Sequence, residues 1–200
     1  MDVLVRAARR APVYGGGHPW VLEPHGRGVS LYELPHHSIH DRLGIGRLLT
    51  CGGVLHNVHT ALRAAGWRVE VSLPRDAARP DLLAVLTAVG RQAAPARRAI
   101  EEQAPSGPAE LSVLLAANHW EGTRVRPVVS AAEPAGSVTL LVSTEGDSRR
   151  DVLLAGAALQ AVRLKARTLE LPTTVVRGPL PGHGWALLEV SGVSGPHLEG

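Results

Sequence analysis

Phenylalanine is absent from the 200 residues, and two tyrosines and four tryptophans are the only aromatic side chains. The core must therefore be aliphatic, built from leucine, valine, isoleucine and alanine. Cysteine occurs once, at Cys51, which excludes an internal disulfide and fits a reducing compartment. Lysine also occurs once, at Lys165, so nearly all of the 21 basic residues are arginine. With Ala, Gly and Pro abundant as well, this reads as nucleotide-composition bias of the source genome. The net charge is only +3 and the arginines are scattered, which argues against nucleic acid as a partner. No apolar run approaches the ~18 residues of a membrane span, and no start segment has the charged-then-apolar form of a signal peptide. A cytoplasmic location is the expectation. Nucleophile elbow, P-loop and HExxH motifs are missing, and Gly44-Ile45-Gly46 fails as a dinucleotide fingerprint because position 49 is leucine.

What is present is organised around residues 49–71. Val54, Leu55, Val58, Ala61, Leu62 and Ala65 form the apolar stripe of a core-facing helix. Gly66 stops it as a C′ glycine. Trp67, Val69 and Val71 then alternate with Arg68 and Glu70, as in a half-buried strand. A copy follows over residues 154–175. Cys51-Gly52-Gly53 aligns with Ala155-Gly156-Ala157 at an offset of 104, which also pairs Leu55 with Leu159, Val58 with Val162 and Val71 with Val175. Upstream, Val29-Ser30-Leu31 resembles Val138-Thr139-Leu140. The pattern predicts two related half-units, about 1–90 and 91–190, packed about a pseudo-twofold axis in one domain spanning 1–200.

Residues 2–11 read as a short basic helix ended by Pro12. Tyr14-Gly15-Gly16-Gly17-His18-Pro19-Trp20 follows, where three glycines free the backbone for a flexible turn, or for a loop whose N–H groups face a ligand oxygen or ring nitrogen. Strands are expected at 20–22 and 29–33, about a turn at Gly26-Arg27. His36 with His40, and His56 with His59, share helical faces. That spacing permits a metal site, but no cysteine or carboxylate triplet completes one, so solvated or interface histidines are expected and no metal. Residues 81–89 read as a helix through Leu82, Leu83, Val85, Leu86 and Val89. The basic, proline-broken stretch 91–98 is either a phosphate contact or a solvated loop. A helix at 108–118, strands at 124–129 and 137–142, a helix cap near Ser148, a loop at 178–184, a last strand at 185–190 and an unstructured tail over 191–200 complete the expectation. Cys51 at a helix start is read as a small packing residue, with an activated thiol as the alternative.

Several of these pieces, in order, resemble the flavin-dependent nitroreductase superfamily, and within it the Acg-type FMN-binding branch. Ala11-Pro12 with Pro19-Trp20 is similar to the family's A-P-S-x-H-N-x-Q-P-W loop at the same length. Leu31-Tyr32, then Thr50-Cys51-Gly52-Gly53-Val54-Leu55-His56, resemble its L-Y strand and S-C-G-A-A-L-H helix start. Arg91, Arg97 and Arg98 lie where it carries R-x-T-x-R-R. Ser143-Thr144-Glu145-Gly146-Asp147 with Leu154-Ala155-Gly156-Ala157-Ala158-Leu159 resemble S-T-x-x-D…L-R-A-G-x-A-L.

The resemblance implies an α+β fold, an antiparallel sheet flanked by helices, with Acg-type chains as fused pairs. It implies FMN cycling between NAD(P)H and a small electron-poor acceptor, with the flavin carrying the electrons. It places Gly15, Gly16, Gly17, His18 and Trp20 at the flavin and Arg91, Arg97 and Arg98 at its phosphate; no catalytic residue is assigned. The departures are specific. The loop's Ser, His, Asn and Gln become Val13, Gly15, Gly16 and His18, the covering segment before Ser143 is shortened, and no arginine follows Trp185. Losing several charge-assisted phosphate contacts, each worth about 1.5–3 kcal/mol, would weaken FMN binding by powers of ten. The alternative is therefore a non-catalytic relative that sequesters flavin or pairs, as a homodimer or with a complete flavoprotein, through its uncovered surface. A histidine-dependent metal hydrolase is a distant third.

Overall fold

The computed structural model describes residues 1–14, 16–34, 41, 43–91, 108–128, 136–180 and 182–193. Gly15, the histidines at 36, 37 and 40, Arg97, Arg98 and tail residues 194–200 lie outside the described residues. In chain order the elements are α1 (Asp2–Ala8), β1 (Trp20–His25), β2 (Gly28–Glu33), α2 (Ile45–Ala64), β3 (Trp67–Ser72), β4 (Leu82–Arg91), α3 (Pro108–Ala116), β5 (Thr123–Val128), β6 (Ser137–Thr144), α4 (Arg149–Thr168), β7 (Thr173–Leu180) and β8 (Gly184–Ser191). The order helix–strand–strand–helix–strand–strand thus runs twice. Each half forms a four-stranded antiparallel sheet of the same topology, β1-β2-β4-β3 and β5-β6-β8-β7.

The repeat extends to register. Leu31 opposes Ala84 in one sheet and Leu140 opposes Leu188 in the other. Ala84 and Leu188 are 104 residues apart, the offset that aligns the helices. Both β2 and β6 carry a register shift near their ends, at Leu31/Tyr32 and Val142/Ser143. Beyond it, Glu33 N–H donates to the Asp81 carbonyl at 2.8 Å and Thr144 N–H to the His183 carbonyl at 3.2 Å. The α+β architecture with pseudo-twofold half-units is the observed one.

The two 20-residue helices α2 and α4 cross at their small residues. A Cβ on Gly52 would stand 2.0 Å from the Leu153 carbonyl oxygen, and one on Gly156 2.3 Å from the Leu49 carbonyl oxygen. Leu49 and Leu153 are themselves repeat mates, so each half presents its glycine to the other half's leucine carbonyl, as in a self-complementary twofold contact. A hydrogen is the largest substituent that fits at either glycine. Leu55, Val58, Leu159 and Val162 are fully buried, and one apolar cluster runs through both halves.

Helix ends are set locally and differently in the two copies. Ser148 caps α4 in a reciprocal box with Asp151. In α2 the N-cap is Gly44 at φ 72°, and Asp41 accepts from Gly46 and Arg47 N–H, both at 2.9 Å. Gly66 takes φ 83° at the C′ position expected of it, whereas its mate Glu170 is held at φ 59°, a conformation that costs a side-chain-bearing residue about 1 kcal/mol or more.

Two expectations fail. Residues 81–89 are not a helix: β4 is the central partner of β2 and β3. Its apolar spacing matches a helix because alanines supply half of the buried face. Leu82, Ala84, Leu86 and Ala88 alternate inward, and Leu83 is buried as well, as suits a strand covered on both sides. The loop expected over 178–184 is shorter than expected, since β7 continues to Leu180 and β8 begins at Gly184.

The crossing generates a contrast between adjacent glycines of α2. Gly52→Ala should destabilise the chain by about 1–3 kcal/mol or more, because the clash is with backbone that cannot swing aside. Gly53→Ala meets side-chain carbons alone, Ala11 Cβ at 3.4 Å, Pro12 Cδ at 3.5 Å and Gln160 Cβ at 3.8 Å. It should be neutral or stabilising by up to about 1 kcal/mol through helix propensity. Urea denaturation of both variants checks this; equal effects would contradict the crossing geometry.

Candidate functional site

The glycine turn is anchored from both ends onto the first turns of α2. Tyr14 N–H donates to Thr50 Oγ1 at 2.9 Å, and Thr50 Oγ1 in turn donates to the Gly46 carbonyl at 2.8 Å. On the far side the Pro19 carbonyl accepts from Leu34 N–H at 2.9 Å and sits 3.4 Å from Cys51 Sγ. Between these anchors Gly16 and Gly17 adopt φ 84° and 65°, and a Cβ on either would meet nothing within 4 Å. The loop thus turns its backbone into open space, with His18 exposed and edge-on to Trp20 at 6.0 Å between ring centroids.

Trp20 begins β1 opposite Glu33. Trp120 and Trp185 each donate their indole N–H, to His56 Nδ1 at 3.2 Å and to Thr144 Oγ1 at 2.7 Å. Trp20 Nε1 is buried and has no acceptor among the described residues. A buried donor left unpaired costs about 1–3 kcal/mol.

Glu33, only 4% exposed, joins three elements at this end of the molecule. Its carboxylate accepts from Arg47 Nε of α2 at 3.0 Å and from Arg149 Nη2 at the start of α4. Arg47 is largely buried and Arg149 is half-exposed, so the Arg47 bond contributes more and the Arg149 bond is weakened by solvent. Together they tie the sheet of one half to the long helix of the other. Beside Arg149 a cavity of about 590 Å³ opens between the β3–β4 connection and the start of α4, bordered by Arg75, Arg79 and Arg150. The sequence reading missed this network, since a lone glutamate at a strand end has no motif.

The expected site residues are not all in one place. Gly16, Gly17, His18 and Trp20 share the turn. Arg91 lies at the end of β4, its guanidinium 4.0 Å over the Trp67 ring and donating to the Ala65 carbonyl at 3.0 Å. That is the far end of α2 from Cys51, about 21 Å away at about 1.5 Å per residue. Cys51 is fully buried, and burial, reinforced by the Glu33 carboxylate, pushes its thiol far above the ordinary value. It is an inert packing residue.

No protein-family model matches the sequence, and no curated protein matches it either. Among solved structures, a Thermotoga maritima protein assigned as a nitroreductase superposes with a TM-score of 0.57 over 96% of this chain and 84% of that one, at 14% identity. The fold is nitroreductase-like. At that identity the likeness concerns architecture alone.

Within this nitroreductase-like frame His56 of α2 is buried, not solvated as expected, and clusters with the half-buried His59. Among the described residues, no three His, Cys, Asp or Glu side chains form a set that could hold an ion. His56 is 6% exposed. The turn after α3 lays His119 and Trp120 over it, with ring centroids 5.7 and 6.2 Å away, and over His59 at 5.9 and 5.6 Å. Because Trp120 donates to His56 Nδ1, that nitrogen must be unprotonated, leaving Nε2–H toward Thr60 Oγ1 at 3.5 Å. Burial, then the neighbouring His119 and His59, pull His56 down to about 4. Burial, then Arg63 and His119, do the same for His59, also to about 4.

A depressed histidine value means that the unfolded chain takes up protons the fold refuses. The associated stability is complete above about pH 6.5 and drains away as pH falls toward 4, by at most about 1.4 kcal/mol per pH unit for each histidine. Urea midpoints measured from pH 7 to 4.5 should fall. His56→Gln keeps an acceptor for Trp120 without a titrating ring and should flatten the slope by about one proton. An unchanged slope in that variant would remove His56 from the account.

Proposed function

We propose that this chain is an FMN-dependent oxidoreductase of nitroreductase type, passing electrons from NAD(P)H through the flavin to a small electron-poor acceptor. The observation that carries the reading is the orphaned Trp20 indole N–H beside a glycine turn with open space at the Cβ positions of Gly16 and Gly17, within a nitroreductase-like fold. A flavin ring edge is rich in carbonyl and ring-nitrogen acceptors, so these residues fit it. Trp20 Nε1, the N–H groups of Gly16 and Gly17, and His18 would orient the ring. The resemblance assigns Gly15 to the flavin and Arg97 and Arg98 to its phosphate. The bound flavin would supply the redox chemistry. The chain's part is to hold the ring edge in fixed hydrogen bonds and to set the field around it through the buried Glu33 and its two arginines. The Acg-type assignment belongs to this proposal.

A second reading, a non-catalytic relative that sequesters flavin or pairs with a complete flavoprotein, is favoured by one observation: Arg91 is engaged on Trp67 and Ala65, about 21 Å along α2 from the turn. One expected phosphate contact is thereby spent elsewhere.

Titrating the full chain with FMN while following flavin fluorescence tests the binding, and NAD(P)H consumption by the loaded protein separates the readings. Quenching at one flavin per chain with turnover supports the enzyme; quenching without turnover supports the relative. Trp20→Phe should lower FMN affinity about five- to tenfold, the loss of one hydrogen bond, while leaving the stability of the flavin-free chain unchanged or raised. Unchanged flavin fluorescence on titration would sink both.

A further inference from the structure

The 104-residue repeat gives every side chain of α2 a mate in α4, and one pair of mates has diverged in an informative way. His56 corresponds to Gln160, His59 to Arg163 and Arg63 to Arg167. Over His56 and His59 the turn after α3 inserts the Trp120 indole, which fills the space and donates to His56 Nδ1. Over Gln160 and Arg163 the equivalent turn after α1 brings Pro12 and Tyr14 instead. Beside Gln160 and Arg163 lies a cavity of about 420 Å³, bordered by Arg10, Pro12, Gln160, Arg163, Arg167 and Glu170.

The orientation of Gln160 follows from a chain of bonds. The Ala7 carbonyl can only accept, so Asn57 must offer it Nδ2, at 3.0 Å. Asn57 Oδ1 therefore accepts from Gln160 Nε2, also at 3.0 Å. Gln160 Oε1 is left over on a residue only 3% exposed, and it has no donor. It stands in the role that His56 Nδ1 plays in the other half, where an indole N–H satisfies it. Arg163 donates through Nη1 to Tyr14 Oη at 3.2 Å, but its buried Nε has no acceptor. The wall thus holds one acceptor awaiting a donor and one donor awaiting an acceptor. Three guanidinium groups against the single Glu170 carboxylate leave the lining net positive.

We propose that this cavity binds a small planar organic anion, a phosphate or carboxylate whose ring carries an N–H or O–H donor. The ring takes the place that Trp120 occupies in the other half and donates to Gln160 Oε1. The anionic group takes Arg163 Nε, with Arg10 and Arg167 at the rim, since guanidinium forks match phosphate and carboxylate alike. Neither Gly16, Gly17, His18 nor Trp20 borders this cavity, so the site is separate from the one proposed for flavin.

Isothermal titration of the full chain with guanosine 5′-monophosphate and with indole-3-acetate tests this, with inorganic phosphate and guanosine as half-probes. At least one of the two organic anions should bind at least about tenfold more tightly than either half-probe, and which of them does distinguishes phosphate from carboxylate. Arg10→Gln with Arg167→Gln, both exposed positions where folding should be unaffected, should weaken that binding at least about tenfold. Gln160→Met should bring it down to the level of the half-probes, with thermal stability recorded beside it. Trp20→Phe, which alters the flavin reading, should leave it unchanged, so the two proposals can fail separately. The proposal is overturned if neither organic anion binds more tightly than about 1 mM, if phosphate alone binds equally well, or if the arginine variant binds like the parent chain.

Discussion

Two glycines that cannot be anything else hold this molecule together. Gly52 and Gly156 let α2 and α4 approach until each receives the other's leucine carbonyl, at a separation that no Cβ tolerates. Because these contacts are related by the repeat, one close approach fixes both halves at once. The sheets, the apolar cluster between them and the turns after α1 and α3 are all positioned relative to that crossing. The interior is close-packed, so a shift there is not absorbed locally and would be passed to every element resting on the two helices.

The symmetry of the frame makes its departures readable. The same helical positions carry His56 and His59 in one half and Gln160 and Arg163 in the other. One set is sealed by Trp120 and kept neutral by burial; the other stays open and surrounded by arginine. At the N-terminal ends, Asp41 caps one helix from outside the helix and Ser148 caps the other from within a capping box. Glu33 in the first sheet recruits Arg47 and Arg149, while Thr144, at the matching place in the second, receives the Trp185 indole instead. The two halves share a backbone plan and differ in the side chains placed on it.

Much of the frame was legible before any coordinates. The apolar stripe of α2, the stop at Gly66, the offset of 104 and the small residues at both helix starts pointed to paired half-units. The turn ahead of β1 was legible as a run of glycines after Pro12. β4 was not, because Leu82, Leu83, Val85, Leu86 and Val89 satisfy helical spacing while the alanines that line the strand's inner face give no signal. Gln160 and Arg163 were passed over because a glutamine and an arginine on a helix are ordinary. Setting them beside His56 and His59 at the repeat offset would have exposed the divergence.

Amino-acid order alone determined most of the elements and the repeat, since hydrophobic periodicity and glycine placement are local properties that repeat wherever the pattern repeats. It also determined that the core is free of disulfides and largely aliphatic, with Trp120 and Trp185 as its buried aromatic members. Which polar groups end up partnered was decided only by the packing of one half on the other. The acceptor that Trp20 lacks, the donor that Gln160 lacks and the two arginines that meet Glu33 depend on residues up to 116 positions apart. Their meeting is a property of the helix crossing, and no window of sequence contains it.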